Sequence, residues 1–278
     1  MVEVLTIGNE EIASRPFDEL NSSQLTMPID ILWPFPPDQW SLGATDVHLW
    51  AALLDLPSGS LVRLAAILSQ DESERAARFR FDTHRNRFIA ARGILRSLLR
   101  SYLLSPPDEL RFEYGLNGKP TLAGRFADSG LSFNLAHSED LALIAVTRIG
   151  PIGVDVEQIR PVTDADELVA RFFSPRESAL FQMLPDPERN AAFFNLWTRK
   201  EAWLKATGEG IAHSLNRVEV TFLPGEPARI LGLPEKPELN NHWALRELTP
   251  ATGFVGAVAL PDLQFSICNY QFVTPALL

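Results

Sequence analysis

From Val47 onward, short apolar or alternating runs are separated by longer stretches in which apolar residues recur at helical spacing. Such alternation of strand and helix patterns predicts a mixed α+β (α/β) chain. Between Thr83 and Leu103, residues Phe88, Ala91, Leu95, Leu98, Leu99 and Tyr102 make one apolar stripe, bordered on opposite sides by Arg87 and Arg92. A second long helix is predicted from Pro187 to Thr207, with Phe193, Leu196, Trp197 and Leu204 on its stripe and Lys200 lying inside it. Ser174-Pro175-Arg176-Glu177 places serine at an N-cap, proline at the first helical position and glutamate three residues on, so a helix starts there. Residues 1–45, with Pro28, Pro34, Pro36, Pro37 and Gly43, read as an extended lead-in over the surface.

The pattern repeats. Val154-Asp155-Val156-Glu157 lies 107 positions after Val47-His48-Leu49-Trp50, and Gly225-Glu226-Pro227 lies 107 positions after Gly118-Lys119-Pro120. Each interval holds one long helix, and each ends in a predicted hairpin, LSFNLAHSEDLALIAVT in the first and WALRELTPATGFVGAVAL in the second. Two pseudo-symmetric halves are therefore expected, 46–150 and 151–278, each a small antiparallel sheet packed on a long helix.

Composition narrows the function classes. A net charge of −10 is no footprint for nucleic acid. A local basic stretch stands against it, with eight arginines between Arg75 and Arg100 and one acid, Asp82, which suits a small polyanionic ligand. The longest apolar runs fall far short of a bilayer span, and the acidic start MVEVLTIGNEEIAS is unlike a secretory signal, so a cytoplasmic protein without membrane contact is expected. The single cysteine, Cys268, excludes an intrachain disulfide and a cysteine-cluster metal site.

The chemistry concentrates in the second half. If Gly153 to Glu157 is a strand, Asp155 and Glu157 share one face and repel unless a cation neutralises them; read alone, they could equally be the outer face of an edge strand. Glu201 follows Trp197 by four and precedes Lys205 by four, which alone describes an ordinary surface pair. Lys200 breaks an apolar stripe, as functional residues do, though a stem that packs while its amine reaches solvent explains it too. Three carboxylates with lysines beside them suit a hard cation such as Mg2+ serving a phosphorylated ligand. His137, in the turn after Phe133-Asn134-Leu135-Ala136, and Lys119, in a tight Gly-Lys-Pro turn, carry no assignment by themselves.

Taken in order, FNLAHS, IGVDVE, RFFSPRE and WTRKEAWLKATGEG closely resemble the 4′-phosphopantetheinyl transferases of the larger, pseudo-dimeric surfactin type. The resemblance runs from about Ser69 to the end. It implies transfer of the 4′-phosphopantetheine group from coenzyme A to a serine of an apo acyl or peptidyl carrier protein, with Mg2+, or Mn2+ in its place, bound by Asp155, Glu157 and Glu201. It further implies that Arg75, Arg87, Lys119, His137, Lys200 and Lys205 contact coenzyme A, and that Glu201 and Lys205 serve catalysis, Glu201 as the base. A single chain acting as a monomer, with one active site between the halves, is expected. Ala136 departs from the serine common at that position, and the lead-in is longer than the family minimum. The competing expectation is a non-catalytic module that binds coenzyme A or carrier proteins.

Overall fold

A computed structural model describes residues 30–39, 41–106, 109–210, 215–239, 242–262 and 264–272. The first half runs β1 (Asp46–Leu53), α1 (Ser58–Ala65), α2 (Gln70–Ala77), α3 (Asp82–Leu103), β2 (Phe112–Tyr114), β3 (Pro120–Leu122), β4 (Ser132–Ser138) and β5 (Leu141–Thr147). The second half repeats that order with β6 (Gly153–Gln158), α4 (Ala165–Phe172), α5 (Pro175–Gln182), α6 (Asp186–Thr207), β7 (Glu219–Val220), β8 (Ile230–Gly232), β9 (Trp243–Leu248) and β10 (Phe254–Pro261). The strand orders β1-β5-β4 and β6-β10-β9 are the same, and both triplets are antiparallel. The expected pseudo-symmetry is thus present as architecture.

One strand lies outside the repeat. β11 (Ser266–Gln271) returns from the second half and pairs in parallel with β1, opposite the β5 side. No pattern in the sequence announces this crossing. Part of the lead-in is pinned as well: Ile31 bridges to Ala251, Leu32 N–H donates to Pro250 O at 2.9 Å, and Trp33 is buried.

Side-chain alternation sorts the strands into three apolar layers. Trp50 and Ala52 of β1, with Leu54 just after it, face α3, where Ala91, Ile94, Leu95 and Leu98 close the first core. Ala257 and Ala259 of β10 face α6, with Phe193, Leu196 and Leu204 in the second core. The opposite faces, including Val47 and Leu49 of β1 and Val154 and Val156 of β6, pack between the sheets. The edge strands β4 and β6 lie side by side. Polar side chains stitch that seam: Val154 N–H donates to Asn134 Oδ1 at 2.8 Å, and Gln158 N–H to Ser138 Oγ at 3.1 Å. No helix among the described residues is long and apolar enough to cross a membrane.

Candidate active site

The site is built where α6 lies on β6. Val154 and Val156 point into the inter-sheet layer, so Gly153, Asp155 and Glu157 face the helix. Gly153 lets the helix backbone approach the strand: a Cβ there would stand 2.1 Å from Ala202 O and 2.3 Å from Ala206 N. Glu201 and Lys205, one turn apart on α6, are thereby brought against the acidic face of β6. They are no surface pair, since Glu201 is 2% exposed and Asp155 and Glu157 only 4% and 6%.

Lys205 Nζ donates to Asp155 Oδ1 at 2.6 Å, and Ser138 Oγ donates to Glu157 Oε2 at 2.7 Å. Asp155 Oδ2 and Glu201 Oε1 are buried without a hydrogen-bond partner. Burial raises the pKa of Asp155, against the pull of Lys205. Burial and then the Asp155 charge push Glu157 up to about 7. Burial, seconded by Asp155 and Glu157 against the opposing pull of Lys205, pushes Glu201 up to about 8. For Lys205 burial disfavours the ammonium, but Asp155, Glu201 and Glu157 outweigh it and raise its pKa. The four groups form one electrostatic cluster.

Unpartnered buried carboxylate oxygens beside a third carboxylate are a donor set suited to a hard divalent ion. As the side chains stand, Asp155, Glu157 and Glu201 are not closed on a single point. Among the described residues, no three His, Cys, Asp or Glu side chains are gathered tightly enough to hold a metal ion. Lys205 holds one oxygen of Asp155 and Ser138 holds one of Glu157.

The first half supplies the cationic rim. His137 lies within β4, next to its last residue, rather than in the turn after it; its ring is exposed, yet desolvation by the surrounding chain and the charges of Lys205 and Arg87 lower its pKa. Arg87 of α3 binds Asp55 in two-pronged fashion, Nε to Oδ1 at 2.8 Å and Nη2 to Oδ2 at 2.9 Å, and reaches Glu139 Oε2 with Nη1 at 3.2 Å.

Four residues singled out in the sequence make contacts of other kinds. Lys200 is fully buried on another side of α6, bonded to Glu177 Oε2 at 2.6 Å, Leu215 O at 2.7 Å and Val218 O at 2.5 Å, and does not face the acid cluster. The repeat explains it. In the first half Glu72 completes a capping box with Ser69 and binds Arg96 at 2.5 Å, while Arg96 donates to Leu110 O at 3.1 Å. In the second, Glu177 completes a capping box with Ser174 and Lys200 takes the place of Arg96. Arg92, expected at the margin of the apolar face, is likewise paired with Glu72, at 2.6 Å.

Lys119 donates to Ile152 O at 2.9 Å and Ala206 O at 3.1 Å, which fastens the β2–β3 turn to the C-terminal end of α6; burial lowers its pKa to about 8. Neighbouring Asn117 donates to Gly208 O at 2.8 Å in the same clamp. Arg75 lies exposed on α2 with its guanidinium 5.4 Å above the Phe88 ring, and among the described residues no hydrogen bond or ion pair joins it to the acids. Ser138, Gly153, Asp55 and Glu139 are site residues that sequence reasoning passed over. Only Gly153, a glycine inside a strand pattern, carried a signal.

Comparison with known proteins covers most of the chain. Residues 151–259 match the 4′-phosphopantetheinyl transferase superfamily, and residues 57–148 match the N-terminal region of 4′-phosphopantetheinyl transferases. The 4′-phosphopantetheinyl transferase HetI of Nostoc sp. is 48% identical over 228 residues, covering 82% of this chain and 93% of that protein. The 4′-phosphopantetheinyl transferase psf-1 of Bacillus pumilus is 33% identical over 55% of this chain and 64% of its own length. A 4′-phosphopantetheinyl transferase of Bacillus subtilis is 30% identical over 63% and 76%. With a relative so similar over nearly its full length, and both halves matched in turn, the chain belongs to the 4′-phosphopantetheinyl transferase family, in its larger, two-half form.

Proposed function

We propose that this chain transfers the 4′-phosphopantetheine arm of coenzyme A to a serine of an apo acyl or peptidyl carrier protein, and that Asp155, Glu157 and Glu201 hold one Mg2+ or Mn2+. The observation that carries the reading is three buried carboxylates, two with unpartnered oxygens, with Lys205 of the same helix bonded to one of them and the first half presenting Arg87 and His137 nearby. Buried acids that raise one another's pKa favour an added cation, and the cationic wall favours a diphosphate. When bound, the divalent ion supplies charge neutralisation to that diphosphate.

The residues of the chain account for the rest. Lys205 and the Arg87 edge offer fixed positive charge to the phosphates of the donor. The carrier serine oxygen attacks the β-phosphorus, the bond from that phosphorus to the oxygen of adenosine 3′,5′-bisphosphate breaks, and a phosphodiester forms. Glu201 receives the serine proton. In this reading the protein acts as a monomer, since both sides of the site come from one chain, and the cytoplasm, where coenzyme A is at hand, is its place.

Incubation with coenzyme A, Mg2+ and an apo carrier, followed by mass spectrometry of the carrier, tests it. A phosphopantetheine increment that disappears with a chelator is the expected result. An unchanged carrier supports a binding module instead, and cleavage of coenzyme A without carrier modification supports a phosphodiesterase.

A further inference from the structure

The Arg87 side chain is held on two sides by acids. Asp55 takes the Nε and Nη2 edge at 2.8 and 2.9 Å, the planar fork geometry that fixes a guanidinium in orientation. The remaining nitrogen, Nη1, is thereby aimed at Glu139 Oε2, 3.2 Å away. Glu139 stands in the two-residue turn after β4, beside His137 and between the paired ends Ser138 and Leu141. Its φ is +50°, a left-handed conformation that glycine adopts freely and a glutamate adopts at a cost. Arg87, by contrast, is mostly covered, with 18% of its side chain exposed against 50% for Glu139 and 54% for Asp55.

We infer that Asp55 and Glu139 set the anion affinity of Arg87 in opposite senses: Asp55 is a positioning residue that aims Nη1 at the turn after β4, and Glu139 is an internal anion occupying the position a ligand phosphate takes. The inference rests on the reading of the cleft as the coenzyme A site. Binding of the phosphate exchanges one acidic partner of Nη1 for another, and the half-exposed Glu139 carboxylate returns to water. The acid at a position suited to glycine thus lowers affinity for phosphates and keeps the arginine neutralised until a competing anion arrives.

Calorimetric titration of coenzyme A into the full chain with Mg2+ present tests this, with thermal unfolding run alongside to verify folding. Glu139→Gln and Glu139→Gly should each tighten binding about two- to fivefold, and Asp55→Asn should weaken it by a similar factor, as expected for removing partly exposed pairs. Steady-state kinetics should place both effects in KM, with kcat unchanged. Were the general charge of the cleft all that matters, both substitutions would tighten binding. Were the two acids merely structural, both would weaken it. Either result, or no change at Glu139, overturns the inference while leaving the proposed activity standing. Failure of the wild-type chain to bind coenzyme A overturns both.

Discussion

Gly153→Ala is the sharpest perturbation of the site that leaves every charged group in place. The added methyl carbon would lie 2.1 Å from Ala202 O, 2.3 Å from Ala206 N and 2.8 Å from Lys205 C. These are backbone atoms of α6, which cannot rotate aside as a side chain could. Relief requires the helix to lift from β6 by about 1 Å, and overpacking of this kind costs about 1–3 kcal/mol or more. The same lift withdraws Glu201 and Lys205 from Asp155, and a displacement near 1 Å at a reacting group can lower the rate about 100-fold. Gly232→Ala is the control, since a Cβ there meets nothing within 4 Å. Thermal unfolding and kcat/KM for carrier modification should both fall in Gly153→Ala and hold in the control. A Gly153→Ala protein with wild-type melting temperature and activity would refute the claim that close helix–strand approach builds the site.

Other outcomes separate structure from chemistry. Lys200→Met should destabilise by about 3–5 kcal/mol, because it strands the buried Glu177 carboxylate, yet leave kcat/KM of the folded fraction within about twofold; denaturant unfolding and kinetics read the two effects. Lys205→Met should instead lower kcat/KM at least about tenfold, by removing the ammonium bonded to Asp155 at the cleft. In the cation-free protein Glu157 and Glu201 retain protons up to about 7 and about 8, whereas the unfolded chain releases them near the ordinary value of 4.5. Between those values the folded state binds more protons than the unfolded one, so stability should fall as pH rises from about 5 to about 8. Saturating Mg2+ should remove that fall, and melting curves across pH with chelator or Mg2+ would show it; identical curves would contradict it.

Much of the architecture was legible because each half must bury one face of a helix and one face of a sheet. The stripe on α3, the alternation in Gly153 to Glu157 and the 107-residue echo of Val47 in Val154 follow from that need alone. Asp155, Glu157, Glu201 and Lys205 emerged as a group because their spacing is local to one strand and one helix. Lys200 misled for the opposite reason. A charge within an apolar stripe is either functional or paired, and its partner Glu177 lies 23 residues earlier on another helix. The clue was the second capping box: Ser69–Glu72 and Ser174–Glu177 both end in a glutamate that a long-helix cation neutralises, and only the latter was read. Lys119 shows the same limit, since two carbonyls from distant segments decide what its amine does. The parallel return of β11 depends on tertiary pairing that no periodicity encodes.

The central claim, that the acids of β6 and α6 serve a single divalent ion, is tested most directly by titrating the protein with Mn2+ and following the free ion by electron paramagnetic resonance. One Mn2+ per chain is predicted, displaceable by Mg2+, with affinity lowered at least about tenfold in each of Asp155→Asn, Glu157→Gln and Glu201→Gln. Undiminished binding in a variant carrying all three substitutions would contradict it.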